Sequence, residues 1–193
     1  MNSEFYTFFQ LGIQHIADIK AYDHILFIVA LCAIYKPSDW RKVLVLVTAF
    51  TIGHSLTLGL SALNILVFPS KIIEFLIPVT ILITAILNLT VARPGLKMTW
   101  WKYVLPMFFG FIHGSGFSNY FKSLLGKEEN IIKPLFSFNV GIEVGQIGIV
   151  LSLMTLTWVV LRIVKNGFPI WSKLLSILAG LVALYLMYET KFW

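Results

Sequence analysis

Charged side chains are scarce in this 193-residue chain, since only 12% of its residues are Asp, Glu, Lys or Arg. Soluble domains average about 25%, so the chain has too few charges to cover a surface that faces water. With a mean hydropathy of +0.85 and 58% hydrophobic residues, this deficit excludes an ordinary soluble domain, a disordered chain and a nucleic-acid-binding protein. The composition predicts a polytopic membrane protein whose surroundings are the lipid bilayer.

The chain also lacks a second cysteine and a basic N-terminal segment. Cys32 is the single cysteine, so no intramolecular disulfide can form and the residue gives no information on the redox compartment. The N-terminal residues Met1-Asn2-Ser3-Glu4 contain no basic group, and no small-residue cleavage motif follows a clean apolar stretch. We therefore expect no removable signal peptide.

Apolar runs separated by charged residues and prolines predict an all-α integral membrane protein, a single bundle of about six transmembrane helices. Residues 4–20 are amphipathic and precede a short apolar run at 22–35, which predicts a bent or two-part first helix. The remaining spans are predicted at 43–68, 72–92, 100–121, 134–161 and 169–188, with a polar connector at 122–133. Because the connections are short, we expect residues 1–193 to form one transmembrane domain.

Basic residues are distributed unevenly over the predicted connections. The odd-numbered connections contain nine: Lys36, Arg41, Lys42, Arg93, Lys97, Lys102, Arg162, Lys165 and Lys173. The even-numbered connections and the tail contain five: Lys71, Lys122, Lys127, Lys133 and Lys191. Since Lys and Arg favour cytoplasmic loops, we expect both termini outside the cytoplasm, in a bacterial inner membrane. The net charge of +6 then reflects loops beside acidic lipid headgroups.

All histidines of the chain lie in or beside predicted spans: His15, His24, His54 and His113. An ionisable group at the bilayer centre costs about 2.5–3.5 kcal/mol on insertion scales, so such groups face the bundle interior and mark functional sites. The alternatives are structural. His24 could be an interfacial residue, and His113, which lies in a glycine-rich segment, could bond to a carbonyl of a packing face.

Two carboxylates accompany these imidazoles. Asp23 precedes His24. If His24 is a ligand, Asp23 could orient another histidine by accepting its second N–H, or it could simply cap a helix. Glu143 lies between Asn139 and Gln146 at helical spacing, so the two amides share its face and form a supporting polar ladder. Imidazole and carboxylate together suit a divalent transition metal. Packing between helices would need only the two amides.

Four ordered segments resemble motifs of the HupE/UreJ family of membrane proteins. They are Gly12-Ile13-Gln14-His15-Ile16 with Tyr22-Asp23-His24-Ile25-Leu26-Phe27, Thr51-Ile52-Gly53-His54-Ser55-Leu56-Thr57-Leu58, Phe109-Gly110-Phe111-Ile112-His113-Gly114-Ser115-Gly116-Phe117, and Phe138-Asn139-Val140-Gly141-Ile142-Glu143-Val144-Gly145-Gln146. The chain has Ile16 after the first histidine, Ala21 shortly before the Asp23-His24 pair, and eight residues from His15 to Asp23. In these features it resembles a divergent branch of the family. The resemblance implies a six-helix nickel or cobalt permease. The metal pathway that it implies consists of His15, Asp23, His24, His54, His113 and Glu143.

The same ligands are compatible with more than one function. A permease would pass Ni²⁺ or Co²⁺ through successive weak sites. A membrane-embedded hydrolase would hold Zn²⁺ with an open position, with Asp23 or Glu143 as general base and Ser55 assisting. A structural subunit with a buried polar network is the third alternative. The resemblance favours the permease, and homo-oligomers are compatible with each of the three.

Overall fold

A computed structural model of the chain describes residues 2–90, 101–125 and 131–193, and these residues form α-helices and no strand. The helices are α1 (Asn2–Ile16), α2 (Asp23–Cys32), α3 (Trp40–Ala62), α4 (Ser70–Thr90), α5 (Trp101–Leu125), α6 (Ile132–Ile163) and α7 (Phe168–Glu189). A single 3₁₀ turn, Pro37–Asp39, precedes α3.

Four segments of the described chain are long and apolar enough to cross a bilayer: Pro37–Ala62, Ser70–Thr90, Ile132–Ile163 and Phe168–Glu189. Helix α5 has 25 residues, but polar residues interrupt its apolar sequence. A total of about six spans therefore stays a prediction. Several predicted features lie outside the described residues: the end of the third span at 91–92, Arg93, Lys97, Trp100 and residues 126–130 of the polar connector.

The first predicted span consists of two separate helices, and not of one helix with a bend. Residues 17–22 between α1 and α2 are not helical. The Asp18 side chain accepts a hydrogen bond from the backbone N–H of Lys20 (2.8 Å), a local bond of the kind with which Asp competes against helix formation. The consequence for the site is that His15 ends one helix while His24 starts the next.

The second predicted span ends earlier than expected, at Ala62 instead of residue 68. Asn64 adopts a left-handed conformation with φ 58°, which Asn tolerates better than most residues. The N–H of Asn64 bonds to the Ser61 carbonyl (3.0 Å) and that of Ile65 bonds to the Leu60 carbonyl (2.9 Å). These two bonds are the Schellman pattern that terminates helices, so the turn overrides the apolar sequence that follows it.

Glycines bring two pairs of helices into backbone contact. In the α3–α5 pair, a Cβ on Gly53 would overlap the Met107 carbonyl oxygen, and a Cβ on Gly110 would overlap that of Phe50. In the α1–α6 pair, Gly141 is held in the same way against the carbonyl oxygen of Phe9. Small residues permit such approaches between membrane helices. Polar side chains on the two helices of each pair therefore lie close to one another.

These contacts also fix helix direction. Along α3 and α5 the residue numbers rise together, because Gly110 lies against Phe50 and Gly114 lies against Thr57. The same holds for α1 and α6, where Phe9 meets Gly141 and the Ile16 side chain meets Gly145. Each pair is therefore parallel. Since α4 follows α3 and precedes α5 in the sequence, it runs in the opposite direction to both.

We expect Gly141→Ala to destabilise the protein by about 1–3 kcal/mol, the usual cost of overpacking, because the added Cβ meets the Phe9 backbone. Gly148→Ala is the matched control on the same helix, since nothing lies within 4 Å of its Cβ position. Alanine should be neutral or slightly stabilising there. Thermal unfolding midpoints in detergent test the pair. Equal midpoints for the two variants would contradict the backbone contact.

Candidate metal centre

Three histidines from three helices converge inside the bundle. His15 comes from the last turn of α1, His24 from the first turn of α2 and His54 from α3. One ring nitrogen of each lies within 4.8 Å of the corresponding nitrogens of the other two. The ring centroids are separated by 4.6 Å for His15–His24, 5.6 Å for His15–His54 and 5.9 Å for His24–His54. We call these residues the histidine triad.

Each member of the histidine triad has at least one ring nitrogen without a partner among the described residues. Nε2 of His15, Nε2 of His24 and both ring nitrogens of His54 are buried and form no hydrogen bond. Buried polar groups in proteins are nearly always hydrogen-bonded, and the exceptions mark an unpaired ligand, water or ion. Since imidazole nitrogens bind transition metals readily, the triad fits a metal ion by its chemistry and by its unpaired atoms.

Asp23 fixes the orientation of one triad member. Its Oδ1 lies 3.1 Å from Nδ1 of His24 and also accepts the His24 backbone N–H at 2.9 Å. With the carboxylate at Nδ1, the ring proton sits there and the Nε2 lone pair remains free for a ligand. This is the carboxylate–histidine arrangement that supports metal sites. Asp23 therefore orients its own sequence neighbour.

His113 lies beside the triad but outside the mutual 4.8 Å group. Its ring is 5.2 Å from that of His24. Its Nδ1 donates to the Phe109 carbonyl (2.9 Å), which leaves Nε2 buried and without a partner. Gly110 and Gly114 on the same helix border the His54 backbone, which explains why glycines flank this histidine. His113 is thus a fourth imidazole at the edge of the triad.

Helix geometry places these imidazoles deep in the bundle. His113 is at the centre of α5, twelve residues from each end, or about 18 Å at 1.5 Å per residue. His54 is eight residues before the end of α3, or about 12 Å. Neither side chain is more than 1% exposed. Aromatic rings surround the group, with the Phe117 ring 3.9 Å from His15 and the Phe50 ring 5.0 Å from His113.

A cleft of about 1010 Å³ leads to the site from one side. Its inner end is lined by His15, His24, His113 and Asp23, while Glu74 and the 17–21 segment line its outer part. Glu74 is near the start of α4, and Tyr120, which also lines the cleft, is near the end of α5. The cleft therefore opens on the side where α3 ends and α4 begins.

Glu143 belongs to a second polar group, on the interface between α3 and α6. Its Oε1 accepts a hydrogen bond from Thr48 (2.5 Å), and Gln146 Oε1 accepts one from Thr51 (2.7 Å). Glu143 Oε2, Asn139 Oδ1 and Gln146 Nε2 are buried without partners. We call these five residues the α3–α6 ladder. No residue of the ladder lines the cleft.

The threonine partners in this ladder were not predicted from the sequence. Thr48 has no sequence signal of its own, and Thr51 stands out only as the first residue of a motif, although they precede His54 on α3 by six and three residues. Ser55, the predicted assisting hydroxyl, donates to the Thr51 carbonyl (2.6 Å) and does not line the cleft. The structure thus brings five of the predicted residues together, namely His15, Asp23, His24, His54 and His113, and places Glu143 and Ser55 elsewhere.

We expect His24 and His113 to carry their ring proton on Nδ1, because each Nδ1 faces an oxygen acceptor. Asp23→Ala should release His24 toward the Nε2–H tautomer and leave His113 unchanged, since the Phe109 carbonyl is untouched. ¹⁵N chemical shifts of labelled histidine in detergent report both tautomers. An unchanged His24 tautomer in Asp23→Ala would show that the carboxylate does not orient the ring.

No curated protein and no solved structure matches the chain. A family model described as HupE / UreJ protein matches residues 1–192. The chain is thus an integral membrane protein that belongs to the HupE/UreJ family.

Proposed function

We propose that this protein is a nickel or cobalt permease whose first binding site for the transported ion is the histidine triad. Membership of the HupE/UreJ family implies a membrane protein related to nickel and cobalt transport. The observation that carries the proposal is the convergence of His15, His24 and His54. One ring nitrogen of each lies within 4.8 Å of one nitrogen of each of the others, and each residue has a buried ring nitrogen without a partner. The ion is the cargo of this site.

The donor set supports a transition metal over Mg²⁺ or Ca²⁺. Imidazole suits Ni²⁺, Co²⁺ and Zn²⁺, whereas the lighter divalent ions prefer oxygen. Metal–nitrogen bonds are about 2.0–2.1 Å long for zinc, so the three nitrogens must move closer together when an ion binds. The break at residues 17–22 allows this movement, because His15 and His24 lie on separate helices. His113 lies at the edge of the site, outside this group of three.

The cleft provides the entrance. It opens on the side of the connection between α3 and α4, which the distribution of basic residues assigns to the outside of the cytoplasm. The ion then enters from outside and meets His15, His24 and His113 first, since all three line the cleft. His54 does not line the cleft, so it binds the ion from the side that faces away from the cleft.

Polar groups beyond the triad favour a permease over a hydrolase. Thr51 and Thr48 precede His54 on α3 by about 4.5 and 9 Å of helix rise, on the way to the end of α3 that is opposite the cleft. They bond to Gln146 and Glu143. A transport path needs polar groups towards both faces of the membrane, and the α3–α6 ladder supplies them on the far side.

The residues that a hydrolase would need are less well placed. Glu143 and Ser55 do not line the cleft in which a substrate would meet the metal. Asp23 lines it, but its Oδ1 is engaged by His24. A general base must reach the metal-bound water directly or through one water molecule. The permease therefore fits the described geometry better.

Helix directions support the complete topology of about six spans. If α1 and α2 together form the first span, α1 and α6 belong to the first and fifth spans, and α3 and α5 belong to the second and fourth. Both pairs are parallel, as the glycine contacts show. Successive spans cross the membrane in alternating directions, so the first and fifth spans must be parallel, and so must the second and fourth. Both termini then lie on the same side, in one transmembrane domain.

We expect His54→Ala to reduce the affinity for Ni²⁺ and Co²⁺ by more than roughly 100-fold. Loss of a group that only supports a ligand typically costs roughly 10- to 100-fold, and His54 is proposed as a ligand itself. Uptake of ⁶³Ni into vesicles containing the variant should fall accordingly. Ser55→Ala is the matched control, because this neighbouring hydroxyl bonds only to backbone and lies away from the cleft. Calorimetry on the purified protein measures the affinity. Unchanged affinity in His54→Ala would refute the triad as the binding site.

We expect Glu143→Gln to separate binding from transport. The variant should keep the Ni²⁺ affinity of the triad, since Glu143 is not part of the 4.8 Å group, but it should lower the uptake rate because the carboxylate on the far side is lost. Asn88→Ala is a control for loss of an interhelical bond, here to the Ala30 carbonyl. Equal uptake by Glu143→Gln and the unmodified protein would remove the α3–α6 ladder from the path.

A further inference from the structure

The histidine triad occupies only part of the coordination sphere of its ion. Three imidazoles leave half of an octahedral sphere open. Since His54 lies behind and the cleft reaches His15 and His24, the open positions face the cleft. Whatever fills them must come through the cleft.

The cleft is much larger than a hydrated ion requires. Its volume of about 1010 Å³ lies at the top of the range of about 300–1,000 Å³ found for small-molecule sites. One water molecule occupies about 30 Å³ of liquid, so a full hydration shell would fill only a minor part of this space. The size fits a small organic molecule that accompanies the ion.

The walls of the cleft indicate the chemistry of that molecule. Its outer part carries charges of both signs, with Asp18 and Glu74 as carboxylates and Lys20 as an ammonium group, all of them exposed. A zwitterion with a carboxylate and an amine would find a partner for each group there. Deeper in the cleft, His113 Nε2 is a buried acceptor without a partner, available to an N–H group of the ligand.

We propose that the ion enters the cleft as a complex with a small zwitterionic chelator with nitrogen and oxygen donors, such as a free amino acid. This inference rests on the proposed metal site. The chelator fills the positions that the triad leaves open with its amine, which has given up the ammonium proton to solvent, and with one carboxylate oxygen. The metal-bound amine donates its N–H groups to Asp18 or Glu74, and the second carboxylate oxygen accepts a hydrogen bond from Lys20. Its donor atoms take the place of metal-bound water, so the ion approaches the triad with its charge already partly compensated.

Co-retention tests the proposal directly. Purified protein in detergent is incubated with ⁶³Ni²⁺ and ¹⁴C-labelled L-histidine, a tridentate chelator of this class, and passed through a desalting column. We expect retained histidine and nickel in a ratio near one, and loss of both in His54→Ala. Nickel retained without histidine would overturn this inference while leaving the permease intact. Retention of neither, with ⁶³Ni²⁺ still retained when histidine is omitted, would also overturn this inference alone. No retention of ⁶³Ni²⁺ in the absence of histidine would refute the metal site itself, and the inference with it.

A pair of lysine variants tests where the chelator lies. Lys20→Gln should weaken binding of the nickel–histidine complex by roughly two- to fivefold, the range of one exposed ion pair, without changing the affinity for Ni²⁺ alone. Lys71→Gln is the matched control, since Lys71 is an exposed lysine at the start of α4 but does not line the cleft. Equal affinities of the two variants for the complex would overturn the assignment of the ligand to this cleft.

Discussion

The close backbone contact between glycine-bearing helices is the constraint on which the site depends. Gly53 and Gly110 let α3 and α5 meet without intervening side chains, and Gly141 does the same for α6 against α1. With ordinary residues at these positions, helix axes lie about 8–10 Å apart, and imidazoles from different helices would meet less easily. Backbone proximity therefore places His54 and His113 in one region. The close α1–α6 contact brings His15 to the same region, beside Phe138.

The cost of burying imidazoles explains why this arrangement indicates function. A bundle needs no unpaired nitrogens for stability, and buried polar groups without partners are destabilising. Hydroxyl groups in the same helices satisfy themselves locally, as when Thr57 donates to the Gly53 carbonyl or Thr84 to the Thr80 carbonyl. By contrast, Nε2 of His15, His24 and His113 and both ring nitrogens of His54 have no such partner. The fold thus holds open a set of donors that an incoming cation would complete.

Much of this organisation can be predicted from the sequence, because helical spans and intramembrane ionisable residues leave strong composition signals. The all-helical fold and the family are confirmed, and the bounds of α4, α6 and α7 lie within two residues of the predicted spans. The end of α3 could not be predicted, because a left-handed Asn64 ends the helix within a sequence that remains apolar. Separation of Glu143 from the histidines could not be predicted either. Sequence periodicity gives the face of α6 on which the carboxylate lies but not the helix that this face meets, and here that helix supplies Thr48.

The division into two polar groups has a consequence for how a proposed permease would release its cargo. Nitrogen donors at the triad select transition metals but also hold them firmly. Conduction requires that each site bind the ion strongly enough to admit it and weakly enough to let it leave. The α3–α6 ladder offers carboxylate and amide oxygens, which are weaker partners for Ni²⁺ and Co²⁺ than imidazole, while the charge of Glu143 attracts the cation away from the triad. A nitrogen site that faces the cleft and an oxygen site beyond it would therefore combine selection at entry with release at exit.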